Sequence, residues 1–331
     1  MNFRKPIQRK QGLKILAYGE DDSGKSVFAL SFPKIAYIDT ESKIGVYENN
    51  PKYNKNLIAI ADTVNYYDVI DLIDKIIDSP SEFETFAIDS ETNLYDDMQV
   101  AAMEVEEEKA RQKNKNVDDA IVAQRGWGKV KLNNARLRNM KAQVSAVGIT
   151  CISIAHKKDI IEEVNGKQVK IGERPELRDG SRHDYDIILR FYKQKDVSGT
   201  YRYYAEVEKD TTQFYKAGQK IENVSYENWK EYIESNKSYD TVDTSYNNAI
   251  DSNISGMKKM EDDNLPLKIS EIDELTKSLI GQGVNRDVIK SVIASICIIN
   301  GKETANYNKI KSIEMANKLF DELKKLDKIG E

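Results

Sequence analysis

Gly19-Glu-Asp-Asp-Ser-Gly-Lys-Ser26 is the stretch of this 331-residue chain that decides its fold. A glycine, four residues and then Gly-Lys-Ser make the spacing G-x-x-x-x-G-K-[ST]. An apolar run, 13–18, precedes it, and a helical pattern, 25–31, follows. A strand, a glycine-bearing turn and a helix in that order wrap backbone N–H groups around an anion. The cradle runs through Gly19, Asp21, Asp22, Ser23, Gly24, Lys25 and Ser26, with Val27 next on the helix. Lys25 is expected to reach the β- and γ-phosphates of a nucleoside triphosphate, and Ser26 to ligate its magnesium. Acids inside an anion cradle repel phosphate. Asp21 and Asp22 are therefore expected to point outward, or to meet the magnesium shell or an attacking water.

Working outward, strand-like and helix-like stretches alternate. A second short strand covers 35–38. Residues 64–78 carry Val69, Leu72, Ile73 and Ile76 at helical spacing. A third strand, 83–88, ends in Asp89. Long helices are expected over about 91–113 and 127–147, and 148–155 reads as a continuous apolar strand. Beyond it, 160–164 and 168–171 flank Asn165-Gly166, a two-residue hairpin signal, and 187–192 and 201–208 are further strands. The fold class is α/β: a mostly parallel sheet with helices on both faces, and late antiparallel hairpins at one side.

Four pieces follow: a basic tail, 1–12, with Arg4, Lys5, Arg9 and Lys10; a core, 13–234; a linker, 235–265, rich in Ser, Asn, Asp and Thr without period; and a helical module, 266–331. In the module Ser270 and Ser312 are the expected caps of the first and third of three helices.

Three further positions gather at the rim where parallel strands end, the usual ligand crevice of such sheets. Phe86-Ala-Ile-Asp89 is an apolar strand ending in a carboxylate suited to hold magnesium. In Tyr37-Ile-Asp39-Thr-Glu41 a carboxylate either orients or deprotonates an attacking water or is a plain loop acid. Ile152-Ser-Ile-Ala-His156 ends in a group that either hydrogen-bonds a γ-phosphate or is merely structural.

Composition narrows the classes. Hydrophobic residues make up 40 % and charged residues 32 %, with a net charge of -5, so any nucleic-acid contact must be a local patch. Cys151 and Cys297 sit in apolar runs and read as buried thiols. Two cysteines and two histidines, far apart, build no zinc site. The first residues lack an apolar leader and no run reaches a membrane span, so a soluble cytoplasmic protein is expected.

The order of P-loop, Ile38–Glu41 strand end, Asp89-Ser90 and the strand ending in His156 resembles the RecA-like ATPase core. More narrowly, residues 10–233 are similar to compact phage-encoded ATP-binding proteins of the Sak-four type, including Trp127-Gly128 ahead of the helix leading to His156. The resemblance implies ATP with magnesium as fuel, Glu41 activating water, and His156 relaying the γ-phosphate to a DNA loop. It also implies homo-oligomers, and annealing or strand exchange on single-stranded DNA in the host cytoplasm. It suggests two DNA loops. One contains Lys109, Arg111, Lys113, Lys115, Arg125 and Trp127. The other contains Lys157, Lys158, Arg174, Arg178 and Arg182. Acids such as Glu107 and Glu173 dilute both, so solvated helix and hairpin surfaces fit the same residues. Arg178, Arg182 and Lys209 are candidates for a group donated to a neighbouring subunit. Two other functions fit the same residues: a helicase-type motor or loader, and a nucleotide-bound protein recruiting a partner, such as a single-strand-binding protein, through its C-terminal helices.

Overall fold

The computed structural model describes residues 5–113, 116, 121–122, 124–164, 166–241, 249–262, 264–299 and 302–327. Arg4, Lys115 and Asn165 lie outside them, as does the side chain of Arg125. The chain divides into two compact units, Met1–Asn247 and Asn248–Glu331.

The first unit is built on a nine-stranded sheet. Its order is β3 (Leu57–Asp62), β2 (Ile35–Asp39), β4 (Thr85–Asp89), β5 (Thr150–Val164), β1 (Lys14–Gly19), β7 (Ile187–Lys195), β8 (Tyr201–Asp210) and β9 (Lys220–Glu222). The strands β3 to β7 in that order pair in parallel, and β8 and β9 join antiparallel. β6 (Lys167–Pro175) pairs antiparallel with the far half of β5. The fold is thus α/β, with a mostly parallel sheet and late antiparallel strands.

Both faces of the sheet are covered. On one, α1 (Lys25–Leu30) lays Phe28 and Leu30 against Ile15, Ile154, Phe191 and Val207, and Trp229 closes the cluster. The indole N–H of Trp229 donates to Asp210 at 3.1 Å, which satisfies the only polar atom of a fully buried side chain. The short helices α2 (Gly45–Glu48), α3 (Pro51–Asn54) and α7 (Lys230–Asn236) belong to this unit too. On the other face lie α4 (Tyr66–Asp78), α5 (Glu91–Gln112) and α6 (Gln124–Ala146). Asn65 caps α4 by accepting from the N–H groups of Tyr67 and Asp68, and Val69, Ile73 and Ile76 are its buried stripe.

Several details of this unit differ from the sequence expectation. β5 does not stop at the rim; it runs unbroken from Thr150 through His156 to Val164. β3 was not foreseen, because half of LIAIAD faces outward at the sheet's edge. The tail is tied down at its end: the N–H of Lys10 donates to Asp240, and that of Gly12 to Ser145.

The second unit contains α8 (Ala249–Asp262), α9 (Leu265–Gly281), α10 (Arg286–Ile296) and α11 (Ile313–Asp327), with a two-stranded ribbon, β10 (Ile298–Ile299) and β11 (Lys302–Glu303). Ile272, Leu279, Ile289, Ile293, Ala316, Leu319 and Leu323 form its own core. The expected linker is therefore helical over 249–262. Asn264, not Ser270, caps α9, since its side chain accepts from Leu267 and leaves Ser270 mid-helix. Ser312 does accept from the N–H of Met315. Cys151 and Cys297 are both buried and free. No described helix is long and apolar enough to cross a membrane.

Candidate functional site

Parallel pairing brings the strand ends to one rim. Gly19 on β1 lies beside His156 on β5, and Asp39 on β2 beside Asp89 on β4. β5 separates the β1 strand, which feeds the loop, from the β4 strand, which carries Asp89. Gly19 is obligatory here: a Cβ would lie 2.0 Å from the carbonyl oxygen of Phe191. Gly24 has φ 94°, the left-handed region that lets the loop turn into α1.

Within the loop, Ser23 donates to the Glu20 carbonyl at 2.6 Å. The Lys25 ammonium donates to the carbonyls of Glu20 (2.5 Å) and Gly19 (3.3 Å), so it lies across the loop it belongs to. Burial pushes its pKa down, and the nearby Asp89 and Asp21 oppose that. Asp21 and Asp22 are both exposed. Asp22 takes a positive φ of 52° and pairs with Lys193 of β7 at 3.0 Å.

Asp89 accepts from two hydroxyls, Ser26 and Tyr37, each at 2.5 Å. Burial raises its pKa, and the two hydroxyls counter. Ser26 Oγ and Asp89 Oδ2 are hard oxygen donors already in contact, the donor pair that suits magnesium alongside phosphate oxygens. Among the described residues no cluster of three His, Cys, Asp or Glu side chains could hold a metal on its own. The fit is therefore to a metal that arrives with phosphate.

Glu41 stands at the mouth. One carboxylate oxygen meets His156 Nε2 at 2.7 Å, the other Lys43 Nζ at 2.6 Å. The His156 bond, aided by Lys43, holds Glu41 down at about 2, and the same bond raises His156 above its usual value. Asp39, the other acid of that strand end, accepts the N–H groups of Glu41, Lys43 and Ile44 at 2.7–2.8 Å. It is 3 % exposed and shapes the turn that carries Glu41. Thr40 and Ser90 lock the neighbouring strand ends: each exchanges a hydrogen bond with the other.

Residues 11–217 match the model of a family described as an AAA domain. The chain belongs to this AAA domain family. The matched range contains every side chain just described, and an AAA domain of this type is a P-loop ATPase domain. A search of curated proteins found no match.

The residues suggested as DNA contacts scatter around the AAA domain, and most carry acidic partners. Lys157 meets Glu173 at 2.7 Å and lies 3.5 Å from Glu20 of the P-loop; Lys158 meets Glu176 at 3.2 Å. Arg174, opposite Lys158 in the β5–β6 ladder, meets Asp179 at 2.5 Å. Arg178 pairs with Asp184, and Arg182 with Glu208 at 2.6 Å. Lys209 donates to the Tyr185 carbonyl at 2.5 Å. Arg111 pairs with Glu107 one turn back at 2.8 Å. Lys113 ends α5, and Trp127 on α6 is 45 % exposed.

Sequence reading missed two groups. Tyr37, two positions before Asp39 on β2, could have been found by strand alternation, which aims both at one face. The second is the buried network of Lys141, Glu91, Tyr185 and Ser153, in which Lys141 Nζ reaches Glu91 at 2.7 and 2.8 Å and Tyr185 at 2.8 Å. Its signal was a lysine on the apolar stripe of Leu137, Met140 and Val144.

Proposed function

We propose that this AAA domain hydrolyses ATP with magnesium and that the chain works as a homo-oligomer on single-stranded DNA, promoting annealing or strand exchange. The observation that carries the ATPase part is the meeting of Glu41, His156, Ser26 and Asp89 at one rim beside Lys25. Magnesium, when bound with ATP, spreads the charge that develops on the β- and γ-phosphates. Ser26 and Asp89 are the residues that would hold it. Lys25 gives up its two loop carbonyls to take phosphate oxygens, a stronger, charge-assisted partner. A carboxylate held near 2 is a poor proton acceptor. Glu41 therefore orients water while His156 is bound to it, and grows more basic when that contact is released.

The DNA part rests on the resemblance to RecA-like recombination proteins and on one feature of β5. His156 and Lys157 are consecutive on an unbroken strand, and the basic rows of Lys157, Lys158 and Arg174 follow directly. The side chains of Lys158 and Arg174 are about half exposed, so exchanging their carboxylates for phosphates costs little. The test is the steady-state ATPase rate with and without single-stranded DNA at low salt, where phosphate contacts are strongest. Stimulation is expected. An unchanged rate, or strand displacement on a forked duplex, would point instead to a protein without DNA coupling or to a helicase-type motor. The independent core of the second unit favours an added role in recruiting a partner, such as a single-strand-binding protein.

A further inference from the structure

The acids and the histidine of the site all come from one side of β1. Glu41 follows β2, Asp89 ends β4, and His156 lies on β5, whereas β7 and β8 lie on the other side of β1. A triphosphate whose terminal group faces Glu41 and His156 carries its ribose and base away from them, and β7 and β8 lie on the side of β1 opposite those groups. That side is not bare. β8 alternates, and Ala205 and Val207 bury the same face against Phe28 of α1. Two residues outward on that face is Tyr203, which keeps 37 % of its surface exposed. Its ring edge would lie 3.9 Å from a Cβ built on Gly24, so the ring borders the turn of the P-loop. Val27, one helical step past Ser26, is likewise 37 % exposed. The next ring on the strand, Tyr201, is 48 % exposed and already carries two cations, the ammonium groups of Lys193 and Lys195, 5.4 and 5.1 Å from its centroid. Lys193 also holds Asp22, the loop acid nearest this side, at 3.0 Å.

We infer that Tyr203, together with the exposed Val27 of α1, is the seat of the nucleobase, a stacking surface that takes purine nucleotides. This deepens the Mg-ATP reading and rests on it. An aromatic face and a valine offer stacking area and no set of hydrogen bonds to a base edge. The seat therefore selects by ring size: ATP and GTP should bind alike, and both ahead of CTP and UTP.

The test uses the full chain with magnesium and compares ATP with inorganic tripolyphosphate, which has the phosphates and no base. In Tyr203→Ala the affinity for ATP should fall about tenfold, the size of one lost base stack, with tripolyphosphate affinity unchanged. Tyr203→Phe, which keeps the ring, should bind ATP as the unaltered chain does. The inference is overturned if Tyr203→Ala binds ATP normally, or if it loses tripolyphosphate to the same degree, since the side chain would then only shape the loop. It is also overturned if Tyr203→Ala weakens a single-stranded oligonucleotide and spares ATP, which would make this face a nucleic-acid platform. If the unaltered chain binds neither ATP nor tripolyphosphate, the Mg-ATP reading itself falls, a result distinct from all of these.

Discussion

Two pairs of side chains do different work in this domain. Glu41 and His156 form a half-exposed pair at the mouth, and Glu91 and Lys141 a buried one beneath the sheet. Burial opposes both charges of the buried pair, yet each partner outweighs it, so Lys141 is raised and Glu91 lowered. Such a pair adds little net stability when intact, but removing one member strands the other. Lys141→Met should therefore destabilise the first unit by about 3–5 kcal/mol, read by urea denaturation, while Lys141→Met combined with Glu91→Gln should recover part of that. The mouth pair behaves differently with pH. His156 is raised, so its contribution is complete below the ordinary imidazole value of 6.5 and fades as pH rises through the raised one. Glu41 is lowered to about 2, so the same contribution is complete above 4.5 and fades as pH falls toward 2. With the imidazole 43 % exposed, screening limits the pair to about 1 kcal/mol or less. The stability gap between the unaltered chain and His156→Gln should be widest between those ordinary values and smaller at pH 9, measured from denaturation midpoints at both.

At the scale of elements, β5 joins the rim of the sheet to the hairpin it forms with β6, whose first rows carry Lys157, Lys158 and Arg174. Exchange of Lys157 and Lys158 for glutamine should weaken binding to single-stranded DNA with little dependence on sequence. It should also lower the slope of log K against log salt by about 1.4, two phosphate contacts' worth. An unchanged slope in a fluorescence-anisotropy titration would remove the hairpin from the DNA path. This is also where sequence reading was strongest and weakest. The P-loop, the buried strands and the stripe of α4 were legible because each depends on local spacing: a glycine pattern, an apolar run, a helical period. The continuity of β5 was not, because 156–164 loses its apolar character where the strand leaves the core, although the backbone pairing with β6 goes on. The helix at 249–262 was hidden for a related reason: its Ser- and Asn-rich composition reads as linker, and its described side chains are mostly exposed, so no buried stripe announces it.

Over the whole molecule, the first unit collects its site from four strand-end segments, after β1, β2 and β4 and on β5, spread over more than a hundred residues of chain. The rim was foreseeable, because parallel strands must end together. The partners were not: that His156 would bind Glu41 rather than stand free, that Tyr37 would share Asp89 with Ser26, and that acids would cover most of the basic loop residues are facts of side-chain packing with no local signature. The second unit has its own apolar core and is a separate problem in recognition. The account turns on Glu41 acting on water in a P-loop site, and one comparison tests that most directly: ATP affinity and steady-state hydrolysis of the full-length chain beside Glu41→Gln. The carboxamide should bind Mg-ATP within about threefold of the unaltered chain and hydrolyse it at least about a hundredfold more slowly. Equal rates in the two proteins would contradict the account.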